Sequence, residues 1–266
     1  MASPAGTPSA PVVPIRITFN QCGVFKDLLT FLKRLNLPKF HWIFRKEDVL
    51  IEEQVKEQLN AKISICLSGL NIRYRNRTGE SEIIVATSTS KMLEAITGRG
   101  KNELIELWFL RQGTVEISFS MESGGSTSGL QSVPTEQPDL QRFVLPTYTV
   151  LPCCMMDSTS FEVLCKQLTK SKVDTITLSG PNEQGRLVFE ADKAGVLSIY
   201  DMDIWDPPDF AIQFDLPPAA AAHLKNLADM AGKYATLALT LEPNRPIKIE
   251  GPVGTVGNVT MIVGDV

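Results

Sequence analysis

The runs KMLEAITGRGKNELIELWFLRQGTVEISF (residues 91–119) and HLKNLADMAGKYATLALTLEPNRPIKIEG (residues 223–251) superpose without a gap at a shift of 132 positions. The shift puts Met92 on Leu224, Gly100 on Gly232, Leu107 on Leu239, Val115 on Ile247 and Ile117 on Ile249. Each run reads as the end of an amphipathic helix, a glycine stop and two strands. Unrelated segments seldom agree over helix, turn and hairpin together, so the pair predicts an internal duplication.

Outward from these runs, both halves keep one plan. The first opens with a strand over 15–20 and a helix carrying Val24, Phe25, Leu28, Leu29, Leu32 and Leu35 at helical spacing, ended before Pro38. Short segments rich in β-branched and aromatic residues follow at 41–44, 49–55, 61–67 and 81–86. Ser88, Thr89 and Ser90 offer a cap for the helix over 91–96, and strands over 103–110 and 114–121 complete the half. The plan restarts with a strand over 147–154, Asp157 as N-cap, and a helix bearing Phe161, Leu164, Cys165 and Leu168. Strands over 174–179, 186–191, 195–202 and 210–216, a helix over 219–230, and strands over 234–241, 246–250 and 259–263 follow. Between the halves, 122–141 is rich in Gly, Ser, Pro and Gln and reads as a linker. Residues 1–14, rich in Pro and Ala, read as a flexible tail without the basic start and apolar run of a signal peptide. The expected class is α+β: two tandem domains, each packing its helices on one face of an antiparallel sheet.

The chain has 266 residues, 43% hydrophobic and 21% charged, enough for two domains with working cores. Five cysteines, with no CxxC pair and only two histidines, argue against a zinc site or a disulfide scaffold, and the adjacent Cys153 and Cys154 read as thiols on a strand. The sequons at Asn76 and Asn258 read as chance matches, and no apolar stretch is long enough to cross a bilayer. The expectation is a reduced intracellular protein.

Catalytic signatures are missing. No GxGxxG, Walker loop, HExxH or GxSxG occurs. Gly98-Arg99-Gly100-Lys101 follows a helix rather than opening one, so it reads as a C-cap and not a phosphate loop. Asp201, Asp203, Asp206 and Asp209 form a solvated acidic loop on this reading, since no glycine-turned calcium loop surrounds them. A metal-dependent hydrolase using that cluster is the least favoured alternative. The expectation is a non-enzyme with no cofactor and no metal.

Net charge is −4, yet the four helices with their flanks carry +2, +2, +1 and +1, which leaves −10 for everything else. The cations are Lys26, Lys33 and Arg34; Lys91, Arg99 and Lys101; Lys166, Lys170 and Lys172; Lys225 and Lys233. Helices lining a channel would give an acidic protein a cationic wall for duplex phosphates, gripping DNA without reading its bases.

At this point Ser88-Thr89-Ser90-Lys91-Met92-Leu93-Glu94-Ala95-Ile96 resembles the segment entering the second helix of the proliferating cell nuclear antigen family of DNA sliding clamps. Phe143-Val144-Leu145-Pro146 resembles the end of that family's interdomain connector, and 245–249 and 257–263 resemble its last two strands. The resemblance covers about Ile15 to Val266 and points to a divergent member, such as one carried by a large DNA virus. It divides the chain into the tail 1–14, clamp domain 15–121, connector 122–146 and clamp domain 147–266. It implies a homotrimeric ring around double-stranded DNA, with sheets outside and helices inside. The ring would tether a DNA polymerase and other replication or repair proteins in the nucleus or a viral replication compartment. Trimerisation would pair 114–121, through Val115, Ile117 and Phe119, with 195–202 of the next subunit, through Val196, Leu197 and Ile199. Partner peptides would enter a pocket of Val55, Phe143, Val144, Leu145, Pro146, Pro246, Ile262 and Gly264. The chain departs from the family in its proline-rich tail, in a longer insertion at 52–60 and in lacking an acidic C-terminal tail. The alternatives are a subunit of a checkpoint-type hetero-ring and a monomeric or dimeric viral processivity scaffold.

Overall fold

The computed structural model describes residues 15–55, 61–110, 113–120, 129–139, 146–149, 154–204, 212–233 and 235–264. Its first half runs β1 (Ile15–Phe19), α1 (Cys22–Arg34), β2 (Lys39–Arg45), β3 (Val49–Val55), β4 (Ala61–Leu67), β5 (Ile72–Asn76), β6 (Glu82–Ser88), α2 (Thr89–Ala95), β7 (Leu104–Leu110), β8 (Thr114–Ser120) and β9 (Leu130–Glu136). The second runs β10 (Cys154–Asp157), α3 (Ser158–Ser171), β11 (Thr175–Gly180), β12 (Arg186–Lys193), β13 (Val196–Asp203), β14 (Ile212–Leu216), α4 (Ala219–Ala231), β15 (Thr236–Thr240), β16 (Ile247–Val253) and β17 (Gly257–Val263). The fold is α+β with antiparallel sheets.

Strand order repeats along the chain. β4-β3-β2-β6 in the first half matches β13-β12-β11-β14 in the second, and β9-β8-β7-β1 matches β17-β16-β15-β10. The registers repeat too: Ile17 faces Leu107, which faces Ile117, while Cys154 faces Leu239, which faces Ile249. Thus the residues that superpose in the sequence occupy the same cross-strand positions.

The helices form because their apolar residues share one stripe, and α2 and α3 are also capped by a side chain. In α1, Phe25, Leu28, Leu29 and Leu32 are buried, and Lys33 and Arg34 sit in the last turn where the helix dipole favours cations. The Ser88 hydroxyl accepts from the Lys91 N–H at the start of α2, and the Asp157 carboxylate accepts from the Ser160 N–H at the start of α3. Under the first pair of helices lies an aromatic cluster. Trp42 and Phe44 meet Phe109 edge-on, at 5.4 and 4.6 Å between ring centres, and Phe25 lies against Phe19 at 4.7 Å. The buried Trp42 indole donates to the Thr87 hydroxyl at 2.9 Å, so its one polar atom is satisfied.

Two strands were not expected from the sequence. β9 lies inside the stretch expected to be a linker; of its residues only Val133 is buried, and Pro134 stands opposite Thr114. Backbone pairing to β8, rather than an apolar face, makes it a strand. β5 alternates part-buried Ile72, Tyr74 and Asn76 with exposed Arg73 and Arg75. Of the strand expected over 147–154, residues 147–149 are not strand, residues 150–153 lie outside the described residues, and β10 begins only at Cys154.

The halves join twice. β17 pairs with β4 over seven residues, from Gly257 opposite Leu67 to Val263 opposite Ala61. On the helix side α1 packs against α4, where Arg34 forms an ion pair with Asp229 and Asn226 Nδ2 donates to the Arg34 carbonyl. At Gly257 a Cβ would lie 1.9 Å from the Cys66 carbonyl oxygen, so only glycine lets the strands approach. Gly257→Ala is expected to cost about 2–3 kcal/mol by forcing the two backbones apart. The midpoint of denaturant unfolding measures it, and an unchanged midpoint would show that the junction tolerates the shift.

Candidate nucleic-acid interface and strand edges

The four helices stand side by side in the order α2, α1, α4, α3, crossing from one half to the other at α1 and α4. Lys26 and Lys33 on α1, Lys91 on α2, and Lys166 and Lys170 on α3 are exposed, as are Lys101, Lys172 and Lys233 just outside the helices. Lys225 on α4 is half-buried. Among the described residues, three of the expected cations are engaged within the chain. Arg34 holds Asp229, Lys166 holds Glu162 one turn away at 2.5 Å, and Arg99 lies over the Phe119 ring at 4.2 Å. The free charge of the row is therefore carried mainly by lysines.

Charge is also concentrated where the helix count did not place it. Arg73 and Arg75 of β5, with Arg77 just beyond, form a basic edge on the sheet. The helices are not the only basic elements, because summing over everything else hid short basic strands, β5 and β2 among them, beneath the acidic remainder.

Val196, Leu197 and Ile199 are exposed on β13, which ends the four-stranded order. Val115, Ile117 and Phe119 are fully buried, and β8 is flanked by β7 and β9, so β8 presents no free edge. The expectation that 114–121 forms a subunit edge is corrected for that reason. The free edge belongs to β9, which pairs with β6 only through Thr135 and Glu136 and exposes Leu130. Beside β13 a cavity of about 650 Å³ runs along α3, lined by Ser160, Val163, Gln167, Ile199 and Asp201.

Of the expected peptide pocket, Phe143, Val144 and Leu145 lie outside the described residues. Val55 stands opposite Ala61, Ala61 opposite Val263 and Val263 opposite Ile247, so Val55, Gly264 and Pro246 come to one end of the joined sheet. Pro146 is brought there by its neighbour Tyr148, whose hydroxyl donates to the Pro246 carbonyl at 2.8 Å. Lys248 Nζ lies 5.3 Å from the centre of the Tyr148 ring. The Thr149 N–H and hydroxyl both donate to the Glu242 carboxylate and hold its pKa below the usual range. Ile262 is fully buried and so offers no open pocket floor.

A polar anchor near this face had no sequence signal beyond a histidine within an aromatic strand. His41 is buried, with Nδ1 2.7 Å from Glu53 Oε1, and its Nε2 accepts from the Asp139 N–H at 3.3 Å. Lys39 Nζ reaches Asp139 Oδ1 at 2.7 Å and, with that contact foremost, lowers the Asp139 pKa. Together these fix the chain that leaves β9 against β2 and β3. In the acidic loop Asp203 pairs with Arg186 at 2.7 Å, Asp206 and Asp209 lie outside the described residues, and among the described residues no metal-ligand cluster forms. No described helix is long and apolar enough to cross a membrane.

Neither a protein-family model nor a curated relative matches the chain.

Burial pushes the Tyr148 phenol up to about 12, with Glu242 adding to the effect. A phenol ionises near 10 in the unfolded chain. Its raised folded pKa therefore contributes stability below about pH 10, lost as pH rises towards 12. Tyr148→Phe is expected to flatten the alkaline fall of unfolding free energy over that window, as followed by denaturant titration at several pH values. An unaltered alkaline slope would show that Tyr148 is not held in this environment.

Proposed function

We propose that this chain is a sliding clamp that encircles duplex DNA as a head-to-tail ring and tethers a DNA polymerase. The observation that carries the reading is the β17–β4 join. β17 is the third strand after the second helix of its half, and β4 is the third after the first helix of the other. By the same count β9 and β13 are the matching strands, and among the described strands each combines an unpaired edge with exposed apolar side chains. A β9 edge that accepts β13 of the next copy repeats the internal join between chains and continues the helix row from α3 to the neighbour's α2. Such a contact is heterologous and closes if the rotation closes. The resemblance to the clamp family supports three copies, and the peptide-binding face at Pro146, Pro246 and Gly264 is where polymerase would dock.

The exposed lysines of the helix row then face phosphates around the bore. Duplex DNA binds through released counterions and not through base contacts, which suits a protein that must slide.

Protein loaded on a nicked circular plasmid is expected to stay through gel filtration and to run off after the plasmid is cut. Equal retention on circle and linear DNA would sink the ring. Replacing Lys26, Lys33, Lys91 and Lys170 together by Glu should cut retention by about tenfold or more. It should also reduce the slope of log affinity against log salt by about 3–4, with the melting temperature unchanged. Leu197→Asp with Ile199→Asp should lower the mass in light scattering from trimer to monomer. A wild-type chain that is monomeric with and without DNA would instead support the scaffold or hetero-ring readings.

A further inference from the structure

We infer that the free edge of β5, together with Leu70, docks an extended acidic segment of a partner protein. β5 is the last strand of its sheet, with β1 on one side and no described strand on the other. Its inward residues are fixed: the Tyr74 hydroxyl and Asn76 Nδ2 both donate to the Arg45 carbonyl, which holds the strand against the end of β2. Its outward residues, Arg73 and Arg75, are exposed, and Arg77 continues the series.

Among the described residues no carboxylate lies within ion-pair distance of Arg73, Arg75 or Arg77, whereas the neighbouring Arg16 is paired with Glu106. Arg75 moreover stands directly opposite Arg16 across the strand pair. Like charges in that position destabilise a sheet, so the fold carries a cost that an external anion would relieve.

Nucleic acid would satisfy the charge alone, but two observations favour a peptide. First, every second residue of an edge strand turns its N–H and C=O outward, and an added strand pairs with them. Alternate arginines lie about 6.8 Å apart, the spacing of alternate side chains on such a strand. Second, Leu70, 99% exposed, is the most exposed large apolar residue among the described residues and stands just before β5. Its loop is held firmly. The Gly69 N–H donates to the Val256 carbonyl at 2.9 Å, and Asn71 Nδ2 donates to the Thr255 hydroxyl at 2.8 Å. A Cβ at Gly69 would lie 2.2 Å from the Thr255 carbonyl, so glycine lets the loop press against the β16–β17 turn. Leu70 is thus presented on a braced support, where an apolar side chain of the partner can cover it. The arginines repel a second copy of β5, so the edge selects an acidic strand over its own kind.

The test uses the full chain and a fluorescein-labelled peptide of alternating Glu and Thr ending in Leu, with binding read by anisotropy. The acidic peptide is expected to bind, and a peptide with Lys in place of Glu is not. Arg73→Glu with Arg75→Glu should weaken binding by about tenfold or more. The milder pair Arg73→Gln with Arg75→Gln should weaken it less, with melting temperatures confirming that both variants fold. N-methylation of alternate peptide residues on the pairing edge should abolish binding, and Leu70→Ser should weaken it. DNA retention should be unchanged in the arginine variants, which separates this surface from the helix row. No binding of the acidic peptide overturns the inference, as does binding indifferent to both arginine pairs. Tighter, arginine-dependent binding of oligothymidylate of the same length would also overturn it, assigning the edge to nucleic acid.

Discussion

The pairing of β17 with β4 is the constraint on which the rest of the molecule depends. Seven residues of each strand share one register, so the last strand of the chain becomes a neighbour of the fourth, and two sheets that would each end in an open edge become continuous. The join needs a strand that approaches without a side chain at one point, and Gly257 supplies it against Cys66. It also sets the helices. With the sheets joined in this register, α1 and α4 come side by side, and Arg34 and Asp229 meet across the boundary. An exposed ion pair of this kind contributes little by itself. The strands impose the arrangement, and the ion pair accompanies it.

Charge follows the layers in an uneven way. The helix layer gathers lysines on solvent-facing positions while its buried faces are apolar, and the sheet gathers exposed arginines at the β5 edge. Lysines on a helix row and arginines on a strand edge suit different contacts. A lysine is a mobile point charge suited to a phosphate backbone that slides past, whereas the planar guanidinium suits a fixed carboxylate. The two surfaces belong to different elements, so each can be altered without disturbing the other.

Much of the architecture was legible because apolar periodicity reports burial directly. α1, β3, β4 and β8 were readable to within a residue or two, since Phe25, Leu28 and Leu32, or Val49, Ile51 and Val55, show helical or alternate spacing. β9 was not legible. Leu-Gln-Ser-Val-Pro-Thr-Glu buries only Val133, and its strand character comes from the backbone of β8 rather than from its own side chains. That one omission moved the expected subunit edge to β8, whose Val115, Ile117 and Phe119 have the apolar look of an interface because they belong to the core. The site residues divide in the same manner. Exposed lysines, and Glu162 one turn before Lys166, could be read from helical spacing, while the partners that occupy Arg34 and Arg99 could be seen only in three dimensions.

By itself the sequence determined the α+β class, the place of the four helices and the repeat at a shift of 132 residues, because each of these is written in local periodicity and in spacing along the chain. Tertiary structure alone decided which edges are closed and which are open. Strand pairing is made by backbone groups that every residue carries, so residues far apart can be joined without a distinctive side chain between them. Pairing therefore closed β4 with β17, covered β8 with β9, and left β13, the far side of β9 and the arginine edge of β5 facing outward.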